Sequence, residues 1–212
     1  MEKLYVKLTF TEPILGTAPN NEEIYRNFIA SKAPDASSIE DEVAAVGADE
    51  VAEKGMTVFP RDQEGKPILW DYQVRGFFKD ACGMLNRLTV KETDPNTGKA
   101  KKTVKNESGK MTAFKKTIDG LIFVEPRMIP LEFDGEIGTC QRPLRAQTMQ
   151  GERVTLAMSE EVPAGATAEF TVVCLDDGHI NAVKEWLDYG RLRGIGQWRN
   201  SGKGRFTYEV IE

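Results

Sequence analysis

Residues 69–88 read LWDYQVRGFFKDACGMLNRL, and the order of apolar residues in them is that of a helix. Val74, Phe77, Phe78, Ala81, Cys82 and Leu85 recur at intervals of three and four, the period of one helical face. Arg75, Lys79 and Arg87 fall mainly on other faces. Upstream, Leu4, Val6, Leu8 and Phe10 alternate with Tyr5, Lys7 and Thr9, which predicts a half-buried strand ended by Pro13 and Gly16. Downstream, β character resumes at Leu121–Leu131. Two further strands are expected at Arg153–Met158 and Thr167–Leu175, joined by a turn with Pro163 and Gly165. A second helix is expected over Ile180–Leu192, where Ile180, Val183, Trp186 and Leu187 share a face, with Gly194 beyond its end. Phe206–Ile211 closes the chain as an alternating strand.

Reduced to this core, the order is strand, helix, strand, strand, helix, strand. The expected fold is α+β, a ferredoxin-like or RRM-like βαββαβ domain spanning residues 1–212. Such a sheet carries both helices on one face and leaves the other open, the face on which RNA-recognition modules hold their ligand. Two insertions interrupt it. Residues 17–56 are acidic, and IEDEVAAVGADEVAEKG (39–55) has helical spacing, so a solvated helical insertion after the first strand is expected. Residues 89–118 are Lys-rich and turn-rich and are expected to form a protruding hairpin or loop.

The chain has 212 residues, 40% of them hydrophobic and 29% charged, enough for one sizeable core. No apolar run approaches the roughly 20 residues of a membrane helix, and the first residues lack the apolar region of a secretion signal. Cys82, Cys140 and Cys174 are an odd count without close pairing, which disfavours a disulfide scaffold or a structural zinc site. A cytoplasmic location without membrane or cofactor is expected. The net charge of -5 argues against a polyanionic partner only if it is spread evenly, and it is not. Arg191, Arg193, Arg199, Lys203 and Arg205 stand in a stretch free of acids.

That stretch contains GIGQWRNSGKGRF (194–206). Its glycines permit positive φ and close backbone approach, so successive amides could converge on a phosphate. Arg199, Lys203 and Arg205 would add charge, and Trp198 could stack on a base. An ordinary connecting loop is the alternative. It is no P-loop, because five residues rather than four separate Gly196 from Gly202 and Gly204 follows Lys203. His179 is the only histidine and stands beside Asp176 and Asp177 at a helix start, where polar residues cap helices routinely.

Four blocks together resemble the RAMP superfamily, the RRM-like RNA-binding subunits of CRISPR effector complexes, and above all the repeating backbone subunit of type III assemblies. They are LYVKLTFTEPILGT (4–17), FPRDQEGKPILWDYQVRGFFKDACG (59–83), SEEVPAGATAEF (159–170) and LRGIGQWRNSGKGRF (192–206). The resemblance implies that Arg75, Lys79 and the 194–205 loop contact the sugar–phosphate backbone of a single strand. It also implies that 89–118 is the family's thumb, with Lys99, Lys101, Lys102 and Lys105. Trp70, Asp71, Tyr72 and Gln73 replace the family's small-residue turn before the helix, and no Asp stands in the context that RNA-cleaving members use.

The expected function is non-catalytic binding of single-stranded nucleic acid, RNA before DNA, by a protein that self-associates along the strand or joins a multi-subunit ribonucleoprotein. The contacts are expected from Arg75, Lys79, Arg142, Arg145 and Arg153, and from Gly194, Gly196, Trp198, Arg199, Ser201, Gly202, Lys203, Gly204 and Arg205. A RAMP-type endoribonuclease and a subunit mimic that inhibits a CRISPR complex are the alternatives.

Overall fold

Strand β1 (Glu2–Phe10) buries Leu4, Val6, Leu8 and Phe10 and exposes Tyr5, as alternation along a pleated strand requires. Two short strands follow, β2 (Ile14–Leu15) and β3 (Ala18–Pro19), and then β4 (Thr57–Val58). The computed structural model describes residues 1–20, 56–93, 100–148 and 151–211. Strands β3 and β4 pair antiparallel, and the Asn20 amide donates to the Met56 carbonyl at 3.0 Å. The two ends of the 17–56 insertion therefore meet; the acidic helices expected between them lie outside the described residues.

Strand β5 (Ile68–Trp70) runs directly into α1 (Asp71–Leu85). Gln73 Oε1 accepts the Trp70 amide at 2.7 Å and fixes the first turn. The buried residues of α1 are Val74, Phe77, Phe78, Ala81, Cys82 and Leu85, the stripe read from the spacing. Strands β6 (Thr89–Thr93) and β7 (Ala100–Lys105) pair as an antiparallel hairpin. The arm expected over 89–118 stops there. Residues 107–121 instead form α2 (Glu107–Lys110) and α3 (Phe114–Leu121), with Ser108 and Ile118 fully buried. The reason is an anchor outside the segment: Glu185 accepts from Asn106 Nδ2 at 2.7 Å, from the Glu107 amide at 2.9 Å and from Ser108 Oγ at 2.9 Å.

Next come β8 (Ile122–Glu125), β9 (Met128–Glu132), the long strands β10 (Gly138–Thr148) and β11 (Gly151–Val162), and β12 (Thr167–Cys174). After a 3-10 turn at Asp177–His179, α4 (Ile180–Arg193) leads through a second such turn, Arg199–Ser201, to β13 (Phe206–Val210). The main sheet has the order β13-β1-β12-β9-β5, with β8 also on β12, and each neighbouring pair is antiparallel. A second sheet, β10-β11-β4-β3 with β2 on β11, is an addition to what the sequence led us to expect. Residues 138–148 have no strand assigned to them in the sequence reading, and Arg153–Met158 is only part of β11. Over Gly138–Pro143 the first strand of the β10–β11 hairpin alternates only between exposed and half-exposed residues, with polar Arg142 on the half-exposed side, so no run of apolar residues marks it.

The fold is thus mixed α+β. Helices α1 and α4 share one core with the buried face of the main sheet. Phe78 and Trp186 pack at 5.4 Å between centroids, and Phe206 meets Phe77 at 5.3 Å and Phe10 at 6.2 Å, both edge-on. Trp186 Nε1 donates to Ser108 Oγ at 2.9 Å, so the one polar atom of this ring is satisfied inside the core. All three cysteines are free, and burial pushes the Cys82 and Cys174 thiols up to about 11. No described helix is long and apolar enough to cross a membrane.

Candidate nucleic-acid interface

The glycine-spaced segment folds back on itself between α4 and β13. The Ile195 amide donates to the Gly204 carbonyl at 2.9 Å, and the Gly204 amide to the Pro13 carbonyl at 2.8 Å. A Cβ on Gly194, whose φ is +73°, would stand 2.6 Å from the Lys203 carbonyl oxygen, and one on Gly204 would run into Ile195. These two glycines therefore serve the loop's own close packing. Gly202 (φ +93°) closes the Arg199–Ser201 turn, and Ser201 Oγ donates to the Trp198 carbonyl at 3.0 Å. The amides of Gly194, Ile195, Ser201, Gly202 and Gly204 all donate to backbone carbonyls. The expected convergence of amides on a phosphate narrows to the amides of Gly196–Asn200, Lys203 and Arg205, which donate to no backbone carbonyl among the described residues.

The cations of the segment have partners of their own. Arg199 Nη1 and Arg193 Nε both donate to Asp80 Oδ2, at 2.7 and 2.9 Å. Lys203 Nζ donates to Glu161 Oε2 at 2.6 Å. Arg142 reaches over from β10: its Nη2 donates to Gln197 Oε1 at 2.9 Å and its guanidinium lies 5.1 Å from the Trp198 ring centroid. The Nε atoms of Arg142 and Arg205 are buried without a hydrogen-bond partner. Burial alone would raise the Asp80 carboxyl; the Arg193 hydrogen bond and the Arg199 charge outweigh it and hold the group below its ordinary value. Arg193 is correspondingly raised, chiefly by its bond to Asp80. Among the described residues, Asp80 and Glu161 are the carboxylates paired with Arg193, Arg199 and Lys203, so the five cations Arg142, Arg193, Arg199, Lys203 and Arg205 outnumber the acids bonded to them there.

Between α1 and this segment lies a groove of about 220 Å³, walled by Thr17, Gln73, Gly76, Asp80, Gly196 and Arg199 among others. Gly76 has nothing within 4 Å of where a Cβ would stand, so the helix backbone is bare on that side. Gln73 Nε2 donates to Thr17 Oγ1 at 2.7 Å and ties the β2–β3 segment to the helix at the groove's end.

No family model matches the chain, and no curated protein matches it. Among solved structures it is similar to a chain of the Type III-B Cmr-beta complex bound to cognate target RNA, determined by cryo-EM. The likeness has a TM-score of 0.51 at 9% identity. It is a likeness of fold. It covers 100% of this chain and 60% of that one, so this chain spans less than two thirds of the neighbour's length.

Of the residues singled out in the sequence, the structure brings together Gly194, Gly196, Trp198, Arg199, Ser201, Gly202, Lys203, Gly204, Arg205 and Arg142. It does not bring Arg75 and Lys79 to them. These point away from the groove stripe of α1: Arg75 Nη2 donates to Asp71 Oδ2 at 2.9 Å, and Lys79 pairs with Asp119 of α3. Arg145 and Arg153 stand opposite Val154 and Ala146 in the outer half of the β10–β11 hairpin. Lys101, Lys102 and Lys105 are on β7, and Lys99 lies outside the described residues. The open sheet face offers little to a phosphate, since Lys7 is paired with Glu169 at 3.0 Å and flanked by Glu209 in register. The sequence reading missed Asp80, Glu161 and Gln197. Asp80 is one acid on a helix, and nothing local announces that its partners stand 113 and 119 positions away.

Proposed function

We propose that this chain is a RAMP-type, RNA-binding subunit of a ribonucleoprotein, built on a ferredoxin-like, RRM-like core of β1, α1, β8–β9, β12, α4 and β13. Support for that core is the antiparallel neighbour order β13-β1-β12-β8, the order a split βαβ arrangement needs. The groove between α1 and the glycine-spaced segment takes the backbone of one unpaired strand. The observation that carries this reading is the gathering of Arg142, Arg193, Arg199, Lys203 and Arg205 around the glycine-spaced segment, with Asp80 and Glu161 the carboxylates paired with them among the described residues. In this reading Arg199, the bare Gly76 backbone and the amide of Gly196 receive a phosphate, and Trp198, 38% exposed and backed by Arg142, receives a base. The Cmr neighbour, itself in a complex bound to target RNA, favours RNA over DNA. The protein acts without cleaving the strand, in the cytoplasm, and associates with copies of itself or with other subunits, the β6–β7 hairpin serving as the thumb.

The test is fluorescence anisotropy with a labelled single-stranded RNA over a salt series. The logarithm of affinity should fall with a slope of about 0.7 per phosphate contacted. Replacing Arg199, Lys203 and Arg205 together by Ala should remove most of the binding while thermal unfolding shows a folded protein. Unchanged affinity in that variant overturns the reading.

A further inference from the structure

We infer that the depression beside Trp70 is a nucleobase subsite, taking a base of the strand whose backbone lies in the α1 groove; the inference rests on that strand-binding reading and adds a second place where the strand is held. The depression measures about 280 Å³ and is walled by Pro19, Val58, Phe59, Pro60, Arg61 and Trp70 among others. Its lining is flat and mostly apolar, with a cation at the rim, the composition that suits a heteroaromatic ring attached to an anionic spine.

Three observations point to this ligand class. The first is aromatic: the Trp70 and Tyr72 rings lie within 13° of parallel at 6.2 Å between centroids, and Tyr72 is 54% exposed. The exposed part of this ring offers a flat face on which a base can stack. The second is electrostatic. The exposed Arg127 carries its guanidinium 5.8 Å from the Trp70 centroid, and Arg61 stands at the rim, held by Glu160 at 2.6 Å and by the Gly65 carbonyl at 3.3 Å. The third is continuity. Thr17 walls the backbone groove while Ala18 and Pro19 wall the depression, and Gln73 and Trp70, one helical turn apart at the start of α1, divide between the two in the same way. The Gln73 bonds to Thr17 Oγ1 and to the Trp70 amide hold these two walls in fixed relation. In this proposal a strand leaving the groove reaches the depression across that shared wall.

The experiment compares a single-stranded RNA with an abasic ribose-phosphate strand of equal length, binding each to the wild-type chain and to Trp70→Leu and Tyr72→Ala. The wild type should prefer the base-bearing strand by about a hundredfold, the scale of two stacked bases, one in the depression and one on Trp198. Both variants should lose about tenfold of that preference and keep the affinity for the abasic strand, with near-ultraviolet circular dichroism reporting an intact core. A preference undiminished in both variants overturns the subsite and leaves the backbone site standing. Loss of abasic binding in the variants also overturns it, because Trp70 then merely supports the groove. If the wild type binds neither strand, the strand-binding reading itself falls.

Discussion

Arg199 Nη1 donates to Asp80 Oδ2 at 2.7 Å, joining the glycine-spaced segment to the middle of α1. Arg193, at the end of α4, donates to the same oxygen at 2.9 Å. One carboxylate thus orients two guanidinium groups and neutralises only one. Both partners keep about a quarter of their side-chain surface exposed, so the pair is reachable from solvent. In the proposed strand-binding reading, an arriving phosphate would compete with Asp80 for Arg199, while Arg193 would remain to satisfy Asp80.

Asp80→Asn should therefore tighten RNA binding and steepen its salt dependence by about 0.7 in the log–log slope, one further counterion released. The same change should lower folding stability by about 1 kcal/mol, because a charge-assisted bond becomes an ordinary one. Anisotropy titrations paired with urea unfolding measure both. Weaker binding in Asp80→Asn would mean that the carboxylate positions Arg199 for the ligand rather than competing for it.

The same group sets a pH dependence. Its carboxyl in the folded chain lies below the ordinary value of about 3.9, so the unfolded chain binds a proton more readily. The stabilisation is complete above pH ~4 and is lost as pH falls through the lower, folded-state titration. Urea midpoints should show wild type above Asp80→Asn at pH 6, the gap closing toward pH 3. A gap independent of pH contradicts the assignment.

Glu185 is the anchor of the segment after the hairpin. Its two oxygens accept from Asn106, Ser108 and the Glu107 amide, and Ser108 in turn accepts from Trp186. Glu185→Ala takes the acceptor from the Glu107 amide and Ser108 Oγ and leaves Asn106 Nδ2 only the Leu85 carbonyl, which should cost about 2–3 kcal/mol. Hydrogen exchange should quicken first in α2, with the β1–β12 ladder still protected. Uniform quickening across the sheet would show that the network holds the whole fold rather than this corner.

Two glycines make a paired test of packing. A Cβ on Gly190 would fall inside the Phe206 ring, whereas one on Gly76 meets nothing within 4 Å. Gly190→Ala should destabilise by about 1–3 kcal/mol through overpacking. Gly76→Ala, inside α1, should stabilise by up to about 1 kcal/mol through helix propensity. Thermal melts of the two variants that shift the same way would refute this reading of both sites.

Much of the fold was legible because its signals are local. The stripe of α1, the alternation of β1 and the face of α4 each repeat with the period of the element they form, and each is buried as its period requires. The β10–β11 hairpin was not legible, since over Gly138–Pro143 its first strand buries no side chain fully. Residues 107–121 misled for a different reason: NESGK reads as a turn and the lysines as a solvated arm. What draws this stretch into the helical layer is Glu185, about eighty positions away.

The candidate site divides the same way. By itself the sequence determined where the backbone turns, because positive φ at Gly194, Gly196, Gly202 and Gly204 is a property of the residue, and it determined that bases cluster around them. Which of those bases face a carboxylate and which keep charge for a ligand was decided only in three dimensions. Coulomb attraction acts over a few ångströms of space and takes no account of separation along the chain, so Asp80 and Glu161 enter the site only once α1 and β11 are packed beside it.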